Sequence, residues 1–230
     1  MLHEVVWEIF FFEKKKENLK ILFLFFYYKG CQGKPADILF LLDSSSSIWI
    51  VDYRKQLQFI SDVIDVFHIS PHHTRVAVSA FSNRYQPFIH FDSYDSKDKL
   101  QRAVHRVPQL LGNTYTGDAL RNVRTRGFAK ARQGVAHITI VLTDGVSTNK
   151  ERTKEEALKL KSQGVYIFAI GVGHKFDKNE LKAIGSEPSD DFVYDVDKYD
   201  MLDSIKTTLA FKACTGNYNI QCLAQSNLVI

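Results

Sequence analysis

The chain has 230 residues, 45% of them hydrophobic and 24% charged, with a formal net charge of +4. That is ordinary globular composition, long enough for one large domain with flanking tails and a core of α/β size. The charge is modest and no Lys/Arg stripe accompanies it, so a nucleic-acid partner is not expected.

Residues 21–28 are apolar and follow a lysine-containing stretch, which resembles the hydrophobic core of a secretory signal. The stretch before them carries Glu4, Glu8, Glu13 and Glu17, and Tyr28-Lys29-Gly30 makes a poor cleavage site. Residues 1–30 therefore read as an atypical signal, a signal anchor at a membrane, or a misplaced gene start. The Lys14-Lys15-Lys16 run lies between Glu13 and Glu17 and reads as a solvated segment.

Residues 37–42 (Asp37-Ile38-Leu39-Phe40-Leu41-Leu42) form an unbroken apolar run after the first aspartate and predict a buried strand. It ends in Asp43-Ser44-Ser45-Ser46-Ser47. Residues 53–67 predict a helix with Phe59, Ile60, Val63, Ile64 and Phe67 on one face. Residues 74–81 predict a strand and residues 86–91 a shorter one, joined tightly enough to be an antiparallel edge hairpin. Helices follow at 96–107 and 117–129, the second with Thr116 as its N-cap. A strand at 137–142, a helix at 151–162, a strand at 165–170, a short helix at 177–184, a strand at 192–194 and a last helix at 199–211 complete the series. Gly164 and Gly185 stand where helices should stop.

Alternating strands and helices, with nearly continuous apolar strands, predict a doubly wound, mostly parallel six-stranded sheet covered on both faces. The expected order is 3-2-1-4-5-6 with one antiparallel edge strand. In such sheets a ligand binds beyond the carboxyl ends of the strands, where the order reverses. Asp43 follows the first strand and Asp144 follows the fourth, so two carboxylates distant in sequence meet at that crevice. The segment Gly112-Asn113-Thr114-Tyr115-Thr116-Gly117 precedes a helix and can bring a hydroxyl to the same place.

Asp43, Ser45, Ser47, Thr114 and Asp144 together offer oxygen donors with no Cys or His among them, a set that suits Mg²⁺, Mn²⁺ or Ca²⁺ rather than zinc. Strand alternation turns Ser44 and Ser46 away. His72-His73 reads as a solvated loop.

This constellation resembles the metal-ion-dependent adhesion site of the von Willebrand factor type A domain. The likeness extends over residues 31–214 and includes Val141-Leu142-Thr143-Asp144-Gly145 and Ala169-Ile170-Gly171-Val172-Gly173. The resemblance implies that Ser45 and Ser47 ligate a metal through their hydroxyls, that Thr114 joins when ligand is bound, and that Asp43 and Asp144 act through coordinated waters or directly. It implies Mg²⁺, with Mn²⁺ or Ca²⁺ as substitutes, and a partner carboxylate completing the coordination. The partner would be an extracellular matrix protein such as collagen, or a cell-surface protein, and the chain would be secreted. Asn83, Arg84, Tyr85, Tyr115, Val146 and Ser147 would form the selective rim.

Cys31 and Cys214 flank the predicted domain, and two readings stand: a bridge joining its ends, or two free thiols. A bridge would stabilise by about 4–5 kcal/mol in the chain-entropy model and would imply an oxidising compartment. It would match the flanking bridge of the matrilin- and collagen-associated members that the chain resembles. Cys222 is then left over and could support an oligomer. Residues 215–230 read as a short tail, the stub of a longer protein.

Two other functions compete with adhesion. One is structural, a matrix-assembly component. The other is a Mg²⁺-dependent phosphohydrolase using Asp43 as nucleophile, but the position two residues on is Ser45, a poor proton donor to a leaving group. No enzymatic reaction is expected.

Overall fold

The computed structural model describes residues 35–215. The expected signal or anchor in residues 1–30, Cys31 and with it the bridge to Cys214, Cys222, and the tail beyond residue 215 lie outside that range. Among the described residues no helix is long and apolar enough to cross a membrane.

The strands are β1 (Ala36–Asp43), β2 (Thr74–Phe81), β3 (Tyr85–Ile89), β4 (Ala136–Thr143), β5 (Val165–Val172) and β6 (Val193–Val196). They form one six-stranded sheet in the order β3-β2-β1-β4-β5-β6, with only the β2–β3 pair antiparallel. This is the expected topology. β1 is central, paired with β2 from Ala36↔Thr74 to Asp43↔Phe81 and with β4 from Ala36↔Ala136 to Leu42↔Leu142.

Side-chain alternation in β1 feeds two cores. Ile38, Phe40 and Leu42 pack on one face with α1 (Ile50–Val66), α2 (Lys97–Val104) and α7 (Asp203–Thr215). Leu39 and Leu41 pack on the other with α3 (Thr116–Asn122), α4 (Lys150–Ser162) and α5 (Lys178–Ile184). Each of these large side chains is fully or almost fully buried, which stabilises by about 1.5–3 kcal/mol apiece. Phe59, Ile60, Val63, Ile64 and Phe67 are all buried, as the helical periodicity predicts.

The differences from expectation have local causes. The helix expected at 117–129 is α helical only to Asn122 and continues as a π-helical turn, Val123–Gly127. That turn presses Gly127 onto the sheet, where a Cβ would sit 3.1 Å from Leu39 Cδ1. Thr116 is not the N-cap; Tyr115 occupies that position without a side-chain bond, and Thr116 is buried in the first turn. Asp177 lies just outside its helix as the cap, accepting from Asn179 and Glu180 N–H groups. The last helix is divided, with a 3₁₀ turn at Tyr199–Met201 before α7. A one-turn helix, α6 (Ser189–Phe192), leads into β6.

Gly164 ends α4 in the left-handed region, with φ of 81°, as a helix stop should. In β5, Gly171 admits the α5 side: a Cβ there would lie 2.5 Å from Leu181 Cδ1 and 2.8 Å from Phe176 Cγ. Gly171→Ala is therefore expected to cost about 1–3 kcal/mol by overpacking, measured as a lowered midpoint of urea unfolding with an unchanged slope.

Candidate functional site

β1 delivers Asp43 to the carboxyl end of the sheet, where it is wholly buried. Its Oδ1 accepts from the Ser45 N–H at 2.9 Å, and its Oδ2 accepts from the Thr143 hydroxyl at 2.8 Å. Thr143 closes β4, so this bond ties the two central strand ends together. The Ser45 and Ser47 hydroxyls are 2.9 Å apart, and Ser47 Oγ donates to Asp144 Oδ1 at 2.8 Å. Four of the expected site residues thus form one hydrogen-bonded cluster, buried at Asp43 and Ser45 and open to solvent at Ser47.

The third segment is held against this cluster by backbone. Leu111 N–H donates to Ser44 O at 2.9 Å and Ser46 N–H to Gly112 O at 2.9 Å. The Ser44 and Ser46 hydroxyls lie beyond the end of β1 and are turned away from the cluster by their own bonds, accepting from the N–H groups of Leu110 and Gly112 at 2.6 and 2.7 Å. Gly112 has φ of +111°, and a Cβ there would press 2.9 Å from the Asn83 amide, so no other residue fits without strain. Thr114 contributes its carbonyl to this scaffold, accepting from Thr148 N–H at 2.8 Å and from the Thr148 hydroxyl at 3.0 Å. Its half-buried side chain carries a hydroxyl that stays outside those bonds.

Burial pushes the Asp43 carboxyl up to about 6, against the pull of the bonds from Ser45 and Thr143, and Asp144 adds to the rise. Burial likewise raises Asp144, partly offset by the bond from Ser47. A buried carboxylate whose partners are an N–H and a hydroxyl is poorly compensated. The charge of a divalent cation is what would compensate it, and the surrounding hydroxyls are hard oxygen donors, so the residues fit such an ion. Among the described residues no group of three or more His, Cys, Asp or Glu is placed to hold a metal.

The expected rim divides. Asn83 and Arg84 are exposed, Tyr115 is half-buried and Val146 is exposed. Asn83 Oδ1 also accepts from Asn113 N–H at 2.8 Å, which braces the Thr114 segment. Tyr85 and Ser147 are corrections, because both are buried. The Tyr85 hydroxyl turns inward and accepts from Ser79 Oγ at 2.9 Å. Ser147 turns under its loop to donate to the Glu180 carboxylate and to accept from the Thr153 hydroxyl. Both are tied into the fold beneath the loops by these bonds.

Three contributors carry no local sequence signal. Gln109 donates to the carbonyls of Ser45 and Ile48 at 3.2 and 2.7 Å and fixes the serine turn. Gln56, wholly buried, donates to Asp43 O at 3.4 Å and to the Tyr199 hydroxyl at 3.3 Å. Burial, then Asp144 and Asp43, raise the Tyr199 phenol so far that it stays protonated.

The family model of the von Willebrand factor type A domain matches residues 37–208. Mouse (Mus musculus) matrilin-2 is 35% identical over 192 residues, covering 81% of this chain and 20% of that protein. The collagen alpha-1(XXI) chain of Xenopus laevis is 34% identical over 186 residues, covering 80% and 19%. The chain therefore spans about a fifth of the length of these two relatives. Proximal thread matrix protein 1 from the mussel byssus superposes with a TM-score of 0.74 at 33% identity, over 80% of this chain and 47% of that one. Another structure of the mussel protein has a zinc-occupied metal-ion-dependent adhesion site, so zinc is not foreign to such a site in that relative.

Proposed function

The chain belongs to the von Willebrand factor type A domain family, and on that footing we propose that it is a cation-dependent adhesion module that captures a carboxylate of a matrix or cell-surface partner. It is a domain of the extracellular matrix class, as are the matrilins, collagens and byssus protein it is similar to. It is read as a binding domain and not as an enzyme, in keeping with the matrilins and collagens to which the chain is similar.

The single observation that carries the proposal is the hydrogen-bonded cluster of Asp43, Ser45, Ser47 and Asp144. These side chains and that of Thr114 would hold Mg²⁺, with Mn²⁺ or Ca²⁺ as substitutes. What a bound Mg²⁺ supplies is a coordination position open to an incoming carboxylate, made attractive by the small number of direct anionic donors. The chain's own residues set the rest. Ser45 and Ser47 keep their hydroxyls converged because Gln109 and the Leu110–Gly112 backbone fix the turn between β1 and α1. Asp43 is wholly buried, paired with Phe81 at the end of β2 and bonded to Thr143 at the end of β4. Asn83, Arg84, Tyr115 and Val146 remain available to select a partner.

The test is binding to a panel of immobilised collagens and other matrix proteins in Mg²⁺ and in EDTA. Binding in Mg²⁺ should vanish in EDTA, and Thr114→Ala should weaken it at least about tenfold, roughly 1.4 kcal/mol, with unfolding unchanged. Binding that persists in EDTA for every partner would contradict the mechanism.

A further inference from the structure

Among the described residues eight large hydrophobic side chains are exposed, and five of them, Trp49, Ile50, Val51, Leu111 and Val146, lie on the three segments that carry the candidate cation ligands. Trp49 follows Ser47 by two residues, Val146 follows Asp144 by two, and Leu111 precedes Thr114 by three. Two residues span at most about 7 Å of backbone, so the α-carbons of Trp49 and Val146 lie within that distance of those of Ser47 and Asp144, and the Leu111 N–H is bonded to Ser44 O beside the serine turn. Exposed apolar side chains gathered around a polar site mark an interaction surface more often than a random scatter does.

Two of the five also violate local rules. Trp49 is the N-cap of α1 and makes no side-chain cap bond, in a position where Ser, Thr, Asp or Asn stabilises. It is 78% exposed, so burial does not compensate for the missing cap. Leu111 has φ of 59°, the left-handed region that a β-carbon disfavours, and its side chain is 56% exposed. Its N–H is locked to Ser44 O at 2.9 Å, so the cluster's own scaffold imposes the conformation. Local violations without a folding benefit concentrate at functional sites.

We infer that Trp49, Leu111 and Val146, with Ile50 and Val51, form an apolar collar that selects a carboxylate flanked by large apolar side chains. The occupant is a protein segment with an acidic residue between apolar neighbours. The collar is continuous with the carboxylate-capturing crevice, and the inference rests on that reading. Trp49 is the main specificity determinant, since a rigid aromatic side chain contributes large contact area at small entropic cost.

The experiment uses three capped pentapeptides on the purified full chain: Gly-Phe-Glu-Phe-Gly, Gly-Ser-Glu-Ser-Gly and Gly-Phe-Gln-Phe-Gly. Binding is read by fluorescence polarisation in Mg²⁺ and in EDTA. The Phe-flanked glutamate should bind at least about tenfold more tightly than the Ser-flanked one in Mg²⁺, and the glutamine peptide should not bind. Trp49→Ser and Leu111→Asn should reduce that preference to about twofold or less. Trp49→Ser should leave Mg²⁺ affinity and the weak Ser-flanked binding unchanged, and both variants should raise the melting temperature, because a cap is restored in one and strain is relieved in the other. Equal affinity for the two glutamate peptides, or a preference untouched by Trp49→Ser, would overturn the collar while leaving carboxylate capture standing. Failure of both glutamate peptides with Mg²⁺ bound would overturn carboxylate capture and the collar with it. Sedimentation with phosphatidylserine vesicles that Trp49→Ser abolishes, with no peptide preference, would overturn the collar in favour of a lipid surface.

Discussion

Arg132→Ala is expected to destabilise the domain by about 3–5 kcal/mol, lowering the melting temperature by roughly 10 °C. Asp37 opens the apolar run of β1 and is wholly buried. Arg132 donates to it through Nε at 3.0 Å, Nη2 at 2.6 Å and its own backbone N–H at 2.6 Å. The same guanidinium donates to the carbonyls of Ala36, His73 and Pro71, at 3.1, 2.6 and 3.2 Å. One side chain thus joins the amino-terminal ends of β1 and β2 to the segment before β4. Truncating it leaves a buried carboxylate with a single backbone donor and takes one donor from each of three carbonyls, of which Pro71 O keeps the bond from Arg75 Nε. The double variant Asp37→Leu with Arg132→Met removes both charges and should recover most of the loss. Because the pair sits at the end of the sheet opposite Asp43, Mg²⁺ affinity should be unchanged in any folded variant. Thermal unfolding of the single and double variants checks both statements.

Asp43→Asn is expected to make the metal-free domain more stable at pH 7, by about 1–3 kcal/mol, while removing its response to Mg²⁺. The sign follows from the raised carboxyl. The folded state holds the Asp43 proton up to about pH 6, against 3.8 in the unfolded chain. Between those values the folded state binds more protons, so stability from this group is complete below about 3.8 and is lost as pH rises through 6. At neutral pH the metal-free protein therefore carries an unfavourable buried charge that asparagine lacks. The amide keeps an acceptor for the Ser45 N–H, and the Thr143 hydroxyl can turn to Gly145 O, 3.3 Å away. In EDTA, the wild type should lose stability between pH 4 and 6 and the variant should show a flatter profile. Mg²⁺ should raise the wild-type melting temperature at pH 7 and leave that of Asp43→Asn unmoved. A variant less stable than wild type in EDTA would show Asp43 to be a structural residue.

The parts of the fold written in short-range pattern were legible. The run Ile38–Leu42 identifies a strand buried on both faces, because both sets of alternating side chains are apolar. The spacing of Phe59, Ile60, Val63 and Ile64 identifies the inward face of α1. Strand order followed from the alternation of elements, and Asp43 and Asp144 were placed at one crevice by topology alone. What escaped depends on partners remote in sequence. Arg132 meets Asp37 across 95 positions, and Gln109 meets the serine turn across 61 and 64. Tyr85 and Ser147 read as rim residues because they follow the second strand and Asp144; the Ser79 hydroxyl and the Glu180 carboxylate, remote partners within the fold, turn each inward. The π turn after Asn122 reflects the close approach of Gly127 to Leu39, which no helical period announces.

The central claim is that Asp43, Ser45, Ser47, Thr114 and Asp144 form one divalent-cation site. Isothermal calorimetry of Mg²⁺ into the EDTA-stripped, dialysed wild type and into Asp43→Asn tests it most directly. A single site is expected in the wild type, with an affinity lower by about 10–100-fold in the variant. Equal affinity in the two proteins, or a wild type that takes up no Mg²⁺, would contradict it.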